Sequence, residues 1–387
     1  MTKRRKIVAY VGPYNFPDGG AAARRIYGNC LSLQRAGYDV IVSSGQLADS
    51  QKREYNGIPV VSLNERRYEH LPTLLKHFMY FSAGSSTIQW LESLQEKPDA
   101  VILYSGYSPY LLRLLPWARK NNVKLIFDVV EWYDPPSLIS RIMSPYFLNI
   151  ELAMRFLIKK CDGLIVISDY LKKYYMPHVK NIIKVPPTAS LGLEGQDTSI
   201  EVRESTRFVY AGTPGKKDSL SSIISAVLRV RSEGQNIELH IAGVPKSKIV
   251  DYITVSGYSQ ATIDKAIMCH GILSHKQTVD LVRASDYSIL IRPNIRSVQA
   301  GFPTKFVESM AVGTPVIANI SSDLQYYLRD GVNGLICPDS NVESLVKVIN
   351  RSVDLSHNRI MRQKAIETAA TYFSPNNYIQ EFSNLIG

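Results

Sequence analysis

Lys305 and Glu308 stand three residues apart in the stretch GFPTKFVESMAVGTPVIAN, a spacing that puts both on one side of a helix. Phe306, Val307, Met310 and Ala311 repeat at helical spacing and form a packing face, from which Glu308 falls away. Pro303 suits the first helical turn, where its missing N–H costs nothing. The backbone amides around Gly301, Phe302 and Thr304 would then point at an anion, with Lys305 beside them. Arg292 and Arg296, from the end of the preceding apolar run, add positive charge. The bland alternative is a surface Lys–Glu pair worth about 0.2–0.5 kcal/mol.

Three other loops carry residues with similar potential. In YAGTPGKKDSLSSIISAV, Gly212 and Gly215 tighten a turn, and Lys216 and Lys217 precede a helix start. Cations are unfavourable there unless an anion sits between them and the helix dipole. In GPYNFPDGGAAARR, Gly19 and Gly20 would let backbone amides approach an anion or a sugar, or would serve only as a flexible turn. A dinucleotide fold would need G-x-G-x-x-G here and an acid ending the second strand, and the chain has neither. In KLIFDVVEWYDPP, the carboxylates of Asp128, Glu131 and Asp134 follow a strand and can hydrogen-bond a hydroxylated acceptor or tune a proton. Glu131, with Trp132 and Tyr133 after it, is the best placed. Capping of the next loop is the competing reading.

These loops need strands behind them and helices ahead. Apolar runs alternate with helical patterns along the whole chain, which predicts parallel sheets covered by helices. The first series is KIVAYVG, DVIVSS, PVVSL, AVILYS, KLIFDVV, GLIVIS and IIKVPP; the second is RFVYAG, IELHIAG, AIMCHG, YSILIRP, PVIAN and GLICP. A polar, turn-rich stretch separates them, so the boundary is placed near Pro186–Thr188. The expected domains are 1–187 and 188–370, with 371–387 a helix able to cross back to the first. Ligands of open parallel sheets bind at the carboxyl ends of the strands, where all four loops lie. Two such sheets face to face would line a cleft.

A chain of 387 residues with 45% hydrophobic and 20% charged residues is globular and long enough for two cores. Its net charge of +11 implies anionic company: nucleotides, an anionic membrane or nucleic acid. No nucleic-acid motif accompanies the charge, so nucleic acid is not expected as a partner. The start, MTKRRKIVAYVG, runs straight into a strand and lacks a signal peptide's apolar region. No apolar run reaches the roughly 18 residues of a spanning helix, and the cytoplasm is the expected compartment. Cys30, Cys161, Cys269 and Cys337 fit no zinc spacing, and the seven histidines form no metal pattern. The segment SLISRIMSPYFLNIELAMRFLIKK, Ser137 to Lys160, mixes apolar stripes with Arg141, Arg155, Lys159 and Lys160. It reads as an interfacial helix pair broken at Pro145 or as an ordinary covering helix.

GFPTKFVESMAVGTPVIAN, with YAGTPGKKD and DYSILIRPN upstream, resembles the donor-binding half of family-4 retaining glycosyltransferases of the GT-B fold, as found in bacterial surface-polysaccharide synthesis. The similarity is strongest over about residues 207–350, and GGAAARRIYGNCLSLQRAGYDVIV is similar to the family's opening glycine loop, helix and strand. The resemblance implies two Rossmann-like domains, a nucleotide-diphosphate sugar donor, UDP-linked before others, and a glycan or lipid-linked acceptor. No cofactor and no metal are expected. Glu308 matches the glutamate that holds the nucleotide ribose, and Lys216 or Lys217 the phosphate-binding lysine. Arg292 would add to phosphate neutralisation, and Glu131, Lys217, Arg292 and Glu308 are the expected catalytic set. Gly271 in CHGIL matches the glycine beside the base, which makes Ile272 a base contact. The family's first motif glutamate is replaced by Ala300, leaving Gln299 and Arg296 as the nearest candidates for the donor sugar. Ala300→Glu is therefore expected to shift donor preference. Asp128, Glu131 and Trp132 are assigned to the acceptor. The inner face of the cell membrane is a compatible location, and a GT-B sugar-nucleotide epimerase or a non-catalytic nucleotide-sugar binder shares the architecture.

Overall fold

The computed structural model describes residues 4–45, 54–66, 82–135, 137, 144–189, 203–253, 257–356 and 359–387. The chain divides into two compact units: Met1–Thr188 with Ala300–Phe302 and Pro375–Gly387, and Ala189–Gln299 with Pro303–Ser374.

The first unit holds strands β1 (Ile7–Val11), β2 (Asp39–Ser44), β3 (Glu54–Tyr55), β4 (Ile58–Ser62), β5 (Ala100–Tyr104), β6 (Lys124–Val129), β7 (Gly163–Val166) and β8 (Ile182–Lys184). They form one sheet in the order β3-β4-β2-β1-β5-β6-β7-β8. Every pair is parallel except the short β3–β4 edge. Parallel neighbours need crossovers, which here include α1 (Gly20–Arg35), α2 (Ser85–Ser93), α3 (Tyr107–Asn121), α4 (Pro145–Leu152) and α5 (Asp169–Tyr175). Covered on both faces, β5 and β7 read as unbroken apolar runs, AVILY and GLIV. Pro145 opens α4 at its first turn, and residues 138–143 of the expected interfacial pair lie outside the described residues.

The second unit repeats the plan with β9 (Thr206–Ala211), α6 (Leu220–Ser232), β10 (Ile237–Ala242), α7 (Gln260–Ala266), β11 (Ile267–Gly271), α8 (His275–Arg283), β12 (Tyr287–Leu290), α9 (Arg296–Ala300), α10 (Thr304–Ala311), β13 (Val316–Asn319), β14 (Gly334–Cys337), α11 (Val342–Asp354) and α12 (Arg359–Phe373). Its sheet is wholly parallel, in the order β11-β10-β9-β12-β13-β14. In both sheets the first strand lies between neighbours on either side, β1 between β2 and β5, β9 between β10 and β12. Chain progression reverses there, and the loops leaving those strands diverge to open a crevice at their carboxyl ends. The loops after β9 and β12 are those that carry Lys217 and Arg292.

The chain returns to the first unit with α13 (Ile379–Ile386). Phe382, Leu385 and Ile386 enter a core with Val8, Tyr10, Ile26 and Leu33, and Lys124 Nζ donates to the Ile386 carbonyl at 2.9 Å. Beneath this core lies a polar network. Arg25 of α1 donates through Nη2 to Asp128 of β6 at 2.7 Å and through Nη1 to the Val185 carbonyl at 2.8 Å. The Tyr10 hydroxyl also donates to Asp128, and Asn29 Nδ2 donates to Tyr10 at 3.0 Å. Both side chains of the ion pair are buried. The expectation that Asp128 contacts an acceptor is corrected: its carboxylate is committed to closing α1 onto the sheet. Removing one member of such a pair strands the other charge, so Asp128→Ala should lower unfolding stability by about 3–5 kcal/mol. Urea unfolding measures this, and a loss below about 1 kcal/mol, the net worth of an ordinary hydrogen bond, would contradict the assignment.

Candidate functional site

The second unit gathers its charged loops at the β9–β12 crevice. Asp218 sits two residues before α6, in the loop that leaves β9. Its Oδ2 accepts from Lys305 Nζ at 2.6 Å and from the Tyr210 hydroxyl at 2.7 Å. Lys305 Nζ also donates to the Tyr210 oxygen at 2.8 Å and lies 4.1 Å from that ring's centroid. Arg292 Nε approaches Asp218 Oδ1 at 3.7 Å and donates to the Lys217 carbonyl at 3.3 Å. The Arg292 backbone is clamped by Asn319, whose Oδ1 accepts from Arg292 N–H at 2.9 Å while its Nδ2 donates to the Arg292 carbonyl at 2.8 Å. Two cations are thus held on one carboxylate. Burial pulls the Lys305 ammonium below its ordinary value, Asp218 works against that shift, and Arg292 adds to it.

Glycines let these groups meet. Gly212 adopts φ +143°, and a Cβ there would stand 2.3 Å from Lys305 Cε. Gly243 accepts no side chain either, since its Cβ would fall 2.6 Å from the Gly212 carbonyl carbon. The Gly243 N–H donates to the Gly271 carbonyl and the Gly212 N–H to the Ala242 carbonyl, each at 2.8 Å, which ties the β9, β10 and β11 exits together.

The residues expected from sequence fall as follows. Lys305 and Glu308, both on α10, share the wall of a cavity of about 20 Å³ with His275 and Thr278 of α8, room for about one water. Pro303 is the residue before α10 rather than its first turn, and no side chain caps that helix start. Gly301, Phe302 and Pro303 are buried, and Thr304 is half-buried. Gly271 takes φ +73° and Ile272, just beyond it, is 70% exposed. Lys216 is exposed and Lys217 half-buried, both in the turn before α6. Arg296 opens α9. Gln299 is engaged by two loops: its Nε2 donates to Asn294 Oδ1 at 3.0 Å, before α9, and its Oε1 accepts from Ser322 N–H at 2.9 Å, after β13. Ala300 has no exposed surface, which corrects the expectation for Ala300→Glu. A carboxylate there would be buried, so loss of stability replaces a shift in preference.

In the first unit, Gly19 and Gly20 begin α1, and a Cβ on Gly19 would stand 1.8 Å from the Asn15 carbonyl oxygen. Glu131 is half-buried after β6 and hydrogen-bonds the Tyr133 hydroxyl, whose acidity burial suppresses first and Glu131 suppresses further. Trp132 is not an acceptor contact. Its indole N–H donates to Glu151 at 2.8 Å, Arg155 covers one face and Tyr174 meets the ring edge-on, leaving it 3% exposed. Among the described residues no group of three or more His, Cys, Asp or Glu could hold a metal ion. Asp218 and Tyr210 were not singled out from sequence. The signal for Asp218 was an acid directly after two lysines at a helix start, a position the helix dipole favours.

Gly212→Ala should push the flexible end of Lys305 off Asp218 without unfolding the unit, since the clash is with Lys305 Cε and φ +143° is strained for alanine. We expect a stability loss of about 1–3 kcal/mol, with at least a tenfold loss of UDP binding in calorimetry. Unchanged UDP affinity in the folded variant would show that Lys305 has no part in binding.

Residues 198–372 match the family described as Glycosyl transferases group 1, and residues 20–178 match the Glycosyl transferase 4-like domain. No curated protein matches the chain by sequence. Among solved structures, the chain is similar to sucrose-phosphate synthase from Thermosynechococcus elongatus, with 13% identity and a TM-score of 0.74 over 99% of this chain and 98% of that one. It is also similar to HepE of Anabaena, solved in complex with UDP and glucose, with 14% identity and a TM-score of 0.62 over 98% of each chain. The lipopolysaccharide outer core galactosyltransferase WaaB, in its apo form, matches at 17% identity with a TM-score of 0.65 over 98% of this chain and 99% of that one. With two Rossmann-like parallel-sheet units and both halves of the sequence matched, the chain belongs to the GT-B glycosyltransferases.

Proposed function

We propose that the protein is a retaining glycosyltransferase that moves a sugar from a nucleotide-diphosphate sugar, UDP-linked before others, to a glycan or lipid-linked acceptor in bacterial surface-polysaccharide synthesis. The observation that carries this reading is the Lys305–Asp218–Arg292 cluster beside Glu308, built from the loops after β9 and β12 and from α10. A departing nucleoside diphosphate gains charge as the glycosidic bond breaks, and fixed cations in a desolvated setting stabilise that charge without reorganising. Lys305 and Arg292 supply them, Lys216 and Lys217 stand in the adjoining turn, and Glu308 is assigned to the ribose hydroxyls. Ile272 offers an apolar surface to the base. HepE is solved with UDP and glucose, and the trehalose-6-phosphate structure from E. coli is bound with UDP-2-fluoro glucose; a UDP-linked donor for this chain extends from those relatives.

In this scheme the acceptor attacks from the face the diphosphate leaves, and a diphosphate oxygen takes its proton, so no protein base is required. Glu131 is the carboxylate assigned to the acceptor side. Among the described residues no helix is long and apolar enough to cross a membrane, and we place the protein in the cytoplasm, at the inner face of the membrane. The epimerase alternative differs in one observable: it converts the free nucleotide sugar when no acceptor is present, whereas a transferase leaves the sugar's configuration unchanged.

Glu308→Ala should fold normally and lose donor use by about tenfold to a few thousandfold, since hydrogen bonds to a charged group contribute about 1.5–3 kcal/mol each. Steady-state kinetics with varied donor reads this, and near-normal kinetics would return Glu308 to the surface. Turnover should also persist in EDTA, because Lys305 and Arg292 are assigned the neutralising role. Complete loss restored by magnesium or manganese would overturn that assignment.

A further inference from the structure

The reversal point of the first sheet holds a feature that donor chemistry does not use. The loops leaving β1 and β5, with α3 and α4, line a cleft open to solvent of about 830 Å³, within the roughly 300–1,000 Å³ of ligand pockets. Its walls are aromatic and aliphatic, with Tyr14, Tyr104, Tyr107, Leu112, Tyr146 and Leu148 among them. None of the lining residues is acidic, and two are arginines, Arg66 and Arg113. Asn15, Asn149, Ser105 and Ser108 are the neutral polar residues on this wall, and no carboxylate stands there to accept from a glycan's hydroxyls. Hydrocarbon and positive charge make up the rest of it.

Two further observations point the same way. Ser105, Gly106 and Tyr107, at the corner between β5 and α3, take φ of +62°, +73° and +45°. Ser105 and Tyr107, left-handed on either side of Gly106, are strained in a way that gathers at binding walls. The second observation is a stripe. Leu148 and Leu152 line the cavity, and Phe156 follows at the same four-residue spacing, the three being 48, 42 and 60% exposed. Lys159 and Lys160 come directly after it. Exposed apolar positions thus continue in sequence from the cavity wall to Phe156 and then to two cations.

We propose that this cavity takes the hydrocarbon tail of a phosphate-bearing lipid that carries the acceptor, with the phosphate held by Arg66 and Arg113. Each methylene taken out of water adds to the binding, and a guanidinium pairs with phosphate oxygens through two parallel hydrogen bonds. The tail's role as acceptor carrier rests on the glycosyl-transfer reading; its binding does not.

The test uses the full chain, calorimetry and three probes: farnesyl phosphate, farnesol and inorganic phosphate. Farnesyl phosphate should bind, farnesol at least about tenfold more weakly for lack of the charge-assisted contact, and inorganic phosphate not measurably. Leu112→Glu and Leu148→Glu, at exposed positions that tolerate charge, should each weaken farnesyl phosphate by about tenfold or more while UDP binds as before. Equal binding of the three probes, or variants that bind farnesyl phosphate like the parent, overturns the proposal. So does binding of phosphatidylglycerol vesicles with none of the monomeric lipid, which would put the stripe against a bilayer and leave the cavity without a tail. Failure here with UDP binding and sugar transfer intact removes the lipid and leaves the transferase. Lipid binding without transfer of any sugar removes the transferase and leaves the lipid.

Discussion

One carboxylate with two cations on it organises the second unit. Asp218 accepts from Lys305 and Tyr210 and faces Arg292, so the loops after β9 and β12 and the helix α10 cannot move independently. Without a counter-charge, two buried cations this close would repel and draw in water. With it, they are held in place before any ligand arrives. Pre-placed charge is what transition-state stabilisation by electrostatics requires. The glycines follow from the same constraint: Gly212 must lack a side chain because the Lys305 stem occupies that space.

The first unit uses a similar device for a different end. Arg25 and Asp128 are as close as Lys305 and Asp218, but they are buried and spend their hydrogen bonds on Tyr10, Asn29 and Val185. That pair secures a helix to a sheet. In the second-unit cluster Arg292 and Asp218 are nearly as buried, at 7 and 10%, while Lys305 keeps partial exposure at 24%. The exposure of Lys305, rather than residue type or distance, separates the structural pair from the cluster assigned to a ligand.

Much of this was legible in the sequence, and the reason is physical. Strands covered on both faces are apolar throughout, so thirteen of the observed strands coincide with runs such as AVILYS and YSILIRP; the two-residue β3 is too short to leave a pattern. The placement of Gly212, Lys217, Arg292 and Glu308 after strands or on a short helix followed from where parallel sheets bind ligands. What escaped was partnership. Asp128 meets Arg25 across 103 positions and Lys305 meets Asp218 across 87, and no local spacing encodes either pair. Trp132 failed for the same reason, its partner Glu151 lying on the next helix. The burial of Ala300 is likewise a property of packing around α9 and not of the motif it interrupts.

The central claim is that the second unit binds a nucleoside diphosphate through fixed cations, and a phosphate series tests it most directly. Calorimetry of the intact chain with UDP, UMP and uridine should give affinities that fall at least about tenfold with each phosphate removed, the worth of one charge-assisted hydrogen bond. Raised salt should weaken UDP more than uridine, because only the former depends on charge. Equal affinity across the series, or no binding of UDP by the folded protein, would contradict the account.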